Sequence, residues 1–181
     1  MDASYDSRGA RALQGWAPAV CMALMAFALV ASEFLPVSLL TPMAADLGIT
    51  EGLAGQGISV SGVFAIVTSL FGNALLWRLD RRTLVLGYSA VLVAAGFASA
   101  LAPNYLAFLI GRVLIGVAVG GFWSLSTSIV ARIVSATDLP RALAVLQVGT
   151  ALASVLAAPL GAFLGGLVGW RGAFFALLPV A

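Results

Sequence analysis

Long neutral stretches alternate with short charged interruptions along this chain. Runs from Ala12 to Ser32, Gly52 to Trp77, Thr83 to Gly111, Val113 to Ala131 and Ala142 to Trp170 contain no Asp, Glu, Lys or Arg. Each is long enough to cross a bilayer core, which takes about 20 apolar residues in a helix. Pro103 and Asn104 form a turn signal inside the third run, so one span ends near Ala102 and the next begins near Tyr105. The pattern predicts a tail over 1–15 and spans at 16–40, 54–77, 83–102, 105–130 and 142–167. A further stretch, 173–181, has about half the length a crossing requires. Backbone amides in hydrocarbon must find partners within their own segment, so the spans are expected to be helices. Residues 16–181 thus read as one all-α, polytopic membrane bundle.

Composition strengthens this reading. Hydrophobic residues make up 62% of the chain, charged residues only 9%, and the mean hydropathy is +1.10. Soluble domains are roughly 25% charged, so water is not the solvent for most of this surface. The net charge of +2 comes from dispersed arginines, with no basic stripe interleaved with aromatics, and nucleic acid is not an expected partner. The arginines instead set topology. Arg8, Arg11, Arg78, Arg81, Arg82, Arg132 and Arg141 fall on one side of the predicted spans, whereas the other side carries Asp46, Glu51 and Arg171. The positive-inside rule then places the N-terminus in the cytoplasm. The first run is too long for a signal peptide, and it continues through Glu33 and Pro36 instead of reaching a small-residue cleavage site. With no histidine and one cysteine, zinc and haem sites of the usual kinds are not expected, which leaves only a carboxylate-based ion site; no cofactor is expected, and Cys21 reads as inert packing.

Small residues recur at intervals of four, which places them along single helix faces. Gly57, Ser61, Ala65, Ser69 and Asn73 form one such stripe, and Gly149, Ala153, Ala157, Gly161, Gly165 and Gly169 form another. A third, Arg112, Gly116, Gly120, Ser124, Ser128 and Arg132, mixes charge with small and hydroxyl residues and should look into the protein or a wet cavity. Smooth faces let backbones approach closely in lipid, where the hydrophobic effect between helices is weak.

Glu33 and Arg112 are the two ionisable side chains that fall inside spans. An intramembrane charge costs at least about 2.5 kcal/mol on insertion scales and marks a functional candidate. Glu33 stands seven residues before Leu40, and Arg112 eight after Asn104. At 1.5 Å per residue both lie roughly 10–12 Å from the outer surface, at a depth where they could pair. In such a place burial favours the neutral acid and a guanidinium favours the carboxylate, so a change of shape can load or release a proton. A permanent structural ion pair is the alternative. Pro36 and Pro42, just beyond Glu33, predict a broken outer end to the first helix, which either exposes carbonyls to a cavity or simply ends the helix.

Several of these residues resemble a known family. The run from Gly111 and Arg112 through Gly116 to Gly120 and Gly121 resembles the fourth-helix motif of major facilitator superfamily transporters. Gly149 with Ala158, Pro159, Leu160 and Gly161 resembles the fifth-helix motif of its antiporters, and Asp80, Arg81 and Arg82 resemble the end of the signature between the second and third helices. The stretch from Glu33 to Ala44, with Asp46-Leu47-Gly48-Ile49, Gly120-Gly121-Phe122-Trp123 and Gly169-Trp170-Arg171, is similar to bacterial purine ribonucleoside efflux transporters of the drug:proton antiporter branch. The resemblance runs from about Trp16 to the C-terminus and covers the first half of a twelve-helix member. It implies the N-terminal six-helix half of a major facilitator fold, with the sixth helix truncated and the C-terminal half required for function.

By the same resemblance Glu33 carries a proton, Arg112 couples it, and Asp80, Arg81 and Arg82 lie at a cytoplasmic gate. The superfamily signature places an acidic residue ahead of the basic pair, near where Trp77 stands here, which argues against a standard gating salt bridge. Phe34, Phe122 and Trp123 could stack a base and Gln147 could bond its edge, making them candidates for the cavity wall. The implied partners are a small-molecule substrate, protons and the lipid bilayer of a bacterial inner membrane. Sugar or drug efflux by the same mechanism, or a non-transporting membrane fragment, are the competing readings. An enzyme is disfavoured, because Asp46, Glu51, Asp80 and Asp138 are scattered and no nucleophile–base or paired-carboxylate constellation exists.

Overall fold

The computed structural model describes residues 3–75 and 80–180, with side chains from Trp16 onward except at 73–79 and Ile133. Trp77 and Arg78, and the side chains of Arg8, Arg11 and Asn73, lie outside the described residues. Helices are α1 (Ala3–Phe34), α2 (Leu40–Leu47), α3 (Glu51–Leu75), α4 (Arg81–Ala100), α5 (Tyr105–Ile133) and α6 (Leu139–Leu177). No strand occurs among the described residues. Five helical stretches are long and apolar enough to cross a membrane, with α1 and α2 counting together as one.

The boundaries differ modestly from the hydropathy pattern. The predicted tail over 1–15 is helical from Ala3 and continuous with α1. Arg81 and Arg82, expected in a loop, occupy the first turn of α4, and Arg132 lies in the last turn of α5. Helical hydrogen bonding continues past the apolar run because nothing at the bundle's end stops it, whereas hydropathy marks only the part that favours hydrocarbon. Asn104 caps α5 from the side chain, its Oδ1 accepting from the Ala107 amide at 2.9 Å, which is why the chain restarts a helix there.

Helix α1 gives way to a 3-10 turn, Leu35–Leu39, with Pro36 at its start. Leu35, Pro36 and Leu39 are buried, so one face of this irregular backbone is sealed by protein, whereas Val37 between them is 48% exposed. Gly161 and Gly165 of α6 make the seal. A Cβ at Gly161 would strike Ser38 Oγ, and one at Gly165 would strike the Leu39 side chain. Helix α2 then ends at Gly48, whose left-handed φ of 63° lets its amide return to the Ala44 carbonyl.

Two long seams organise the bundle. Along one, α3 packs on α5: Cβ atoms at Gly116 and Gly120 would collide with the Ser61 and Ala65 carbonyls. Along the other, α1 packs on α6, with Gly149 against the Ala23 carbonyl and Ala153 and Ala157 buried. The small-residue stripes are therefore the lines of closest backbone approach. The α6 stripe fails at its last member: Gly169 adopts φ 73° and ψ 169°, breaks the helix, and is itself exposed. The short helical segment after it carries the buried Trp170, Ala173 and Phe174. Large apolar side chains such as Ile66, Leu70, Val155, Phe163 and Leu167 point out of the bundle, as expected of helices solvated by lipid.

Candidate functional site

Glu33 and Arg112 meet. The fully buried Arg112 guanidinium reaches Glu33 Oε2 at 2.8 Å, and the glutamate side chain keeps 19% of its surface exposed. The remaining bonds of Arg112 come from two helices. Its Nε donates to the Gly57 carbonyl at 3.1 Å, one Nη to the Ser32 carbonyl at 3.0 Å, and the Nη that holds Glu33 also donates to Ser61 Oγ at 2.8 Å. The Ser32 carbonyl is available because the residue four positions on, where a helical donor would stand, is Pro36, which has no N–H. Gly57 is required on α3 because any Cβ there would meet the Phe108 ring and the Arg112 stem. A charge in a dry interior is tolerated only when its donors and acceptors are satisfied, and this arrangement does so with one backbone carbonyl and one side chain from each of two neighbouring helices.

Ser61 was not singled out as a site residue from sequence; it entered only as one member of the small-residue stripe on α3. It is fully buried, donates to Glu33 Oε2 at 2.9 Å and lies 2.8 Å from the Ile58 carbonyl. Its position four residues after Gly57 was the available signal.

The four candidate cavity-wall residues are not brought together as one wall, although Phe122 and Trp123 touch. Phe34 is exposed beside Glu33, Trp123 is half-buried, and Gln147 is exposed on α6. Phe122 is sealed in the helix core, edge-on to Trp123 at 5.5 Å between centroids. It faces inward because Gly121 and Gly120 on the same turn let α5 press against Tyr88 and Ala65. Of the packing residues, Gly116, Gly120, Gly149 and Gly161 lie in the seams, whereas Pro159 is exposed within α6.

Asp80, Arg81 and Arg82 cluster at the other end of the bundle from Asp46. Arg81 donates to the Ser128 carbonyl at 3.2 Å, while Asp80 and Arg82 are exposed. With Pro18, Cys21 and Arg132 they line a cavity of about 930 Å³. Cys21 is exposed there and is not the packed thiol the sequence suggested, because its face of α1 borders this cavity. No group of three or more His, Cys, Asp or Glu able to hold a metal occurs among the described residues.

The fold and the site define a helical membrane bundle with a buried ion pair between its first and fourth long spans, and sequence comparison places it in a family. Residues 10–181 match the Major Facilitator Superfamily, and the chain belongs to that family. It is 58% identical over 166 residues to "Transcription regulatory protein OpdE" of Pseudomonas aeruginosa, covering 92% of this chain and 41% of that protein. It is 43% identical over 159 residues to "Purine ribonucleoside efflux pump NepI" of Salmonella enteritidis and of Salmonella typhimurium, covering 88% of this chain and 40% of each pump. The chain thus spans about two fifths of the length of the curated relatives it matches.

Proposed function

We propose that this chain forms part of a secondary transporter that exports a small polar solute, most simply a purine ribonucleoside, in exchange for protons. The observation that carries the reading is the Glu33–Arg112 pair, a carboxylate held by a buried guanidinium at the junction of α1, α3 and α5. Because Glu33 retains partial exposure while Arg112 has none, a proton can reach the carboxylate without passing the arginine. Protonation would cancel the Glu33 charge and loosen its hold on Arg112, and the smooth seams allow helices to shift in response. Asp80, Arg81 and Arg82 act at the inner gate, with the N-terminus in the cytoplasm. Phe34, Trp123 and Gln147 are the candidates for solute contact, and Phe122 would need to leave the core to join them. The nucleoside assignment rests on the pumps named above.

A second reading follows from the relative named as a transcription regulatory protein, which shares the higher identity. In that reading the bundle senses a solute and its output is altered gene expression. Uptake of labelled inosine into inverted vesicles under an acid-inside gradient, with the full-length protein that carries this chain, separates the two. Stimulation by the gradient that disappears in Glu33→Gln is expected. Gradient-independent uptake, or none at all, would leave the sensing role as the better account.

A further inference from the structure

A serine hydroxyl has one proton to give. Ser61 Oγ nevertheless faces two acceptors at bonding distance, Glu33 Oε2 at 2.9 Å and the Ile58 carbonyl at 2.8 Å, while it accepts from Arg112 at 2.8 Å. Its proton serves one acceptor at a time. While Glu33 is ionised the charged oxygen is the stronger acceptor, and the hydroxyl points across the helix interface. Once Glu33 is protonated that advantage is gone, and the Ile58 carbonyl one turn back becomes the better partner. Ser32 already makes such a bond within its own helix, to Ala28 at 2.7 Å.

We propose that Ser61 is a positioning residue whose hydroxyl switches between Glu33 and its own helix as Glu33 gains or loses a proton. This rests on the proton-coupling reading of Glu33. The switch sits where it can be felt, because the Ser61 carbonyl is the surface against which Gly116 packs, so the residue that senses the proton also forms the α3–α5 seam. Among the described residues no other charge competes for it. Glu51, the one charged residue of α3, bonds Thr41 at the end of the bundle. Arg81, Arg82 and Arg132 line the cavity at the opposite end, and α6 carries Arg141 in its first turn and Arg171 beside Asp46. Glu33 and Arg112 are thus the charged groups within hydrogen-bond reach of the hydroxyl.

Infrared difference spectroscopy of the full-length protein in lipid, with Glu33 identified by the loss of its carboxyl band in Glu33→Gln, tests this. In Ser61→Ala the carboxylate loses a donor, and its protonation midpoint should move toward alkaline pH by about one unit, a tenfold change in proton affinity. Ser61→Thr should restore the parent midpoint, and Ser61→Cys, a weaker donor of similar size, should fall between. A parent midpoint that Ser61→Ala leaves in place, or one that Ser61→Thr shifts as far as Ser61→Ala, overturns the role of Ser61 alone. A Glu33 band that does not titrate even in the parent overturns proton coupling itself, and the role of Ser61 with it.

Discussion

Two arginines in this bundle do the same geometric task in opposite solvents. Arg112 ties the ends of α1 and α3 to α5 and is fully buried. Arg171 ties Asp46 at the end of α2 and the Ala102 carbonyl after α4 to α6, stacks over Trp170 at 4.3 Å, and is 39% exposed beside an Asp46 that is 44% exposed. Trp170 reinforces the second cluster by donating to Asp46 at 3.1 Å. Each guanidinium fork joins three segments, yet the consequences of losing them should differ severalfold. A buried charge stripped of its partners has no water to replace them, whereas an exposed pair exchanges protein for solvent at little net cost.

The comparison breaks most sharply at Arg112. Arg112→Leu removes four hydrogen bonds, leaves the Glu33 carboxylate without its counter-charge and takes the guanidinium donor from the Ser32 carbonyl, and a loss of about 3–5 kcal/mol is expected in detergent or lipid unfolding titrations. Gly116→Val comes next, because its side chain would have to displace the Ser61 carbonyl and the Phe64 Cβ, neither of which can swing aside. Overpacking of this kind costs about 1–3 kcal/mol, and the upper end is expected in the same titration. At the other cluster, Gly169→Ala tests the backbone that turns Arg171 toward Asp46. Its φ of 73° with ψ of 169° belongs to a region that is essentially glycine-only, and the variant should lose about 1–3 kcal/mol without any new clash. Asp46→Asn should do least, under about 1 kcal/mol after allowance for solvent and salt, and its effect should shrink further at high ionic strength. Equal losses from Asp46→Asn and Arg112→Leu would show that burial is not what separates the two arginines.

The two clusters also differ in how legible they were. Glu33 and Arg112 announced themselves because an ionisable group amid twenty neutral neighbours is expensive, and counting residues from the helix ends put both at one depth. Asp46 and Arg171 lie among loop residues, where charge is ordinary, so their approach across 125 positions left no trace in the pattern. Phe122 shows the opposite failure. An aromatic next to Trp123 on a glycine-rich helix invites assignment to a binding wall, and only the close approach of α3 and α4, permitted by Gly120 and Gly121, turns it into core. The Pro36 break was readable as a break, because proline withholds a backbone donor, but what its buried face packs against depended on Gly161 and Gly165, more than a hundred residues later.

What the amino-acid order determined alone is everything that depends on one segment and its solvent: five apolar stretches long enough to cross a membrane as helices, the striped faces, and two charges that needed each other. What the tertiary structure decided is everything that depends on which faces meet. Hydropathy and periodicity are sums over neighbours along the chain, while the hydroxyl of Ser61 and the carbonyls of Gly57 and Ser32 come within about 3 Å of the Arg112 guanidinium only when three helices cross. A hydrogen bond is decided at that range, and no property of a single helix contains it.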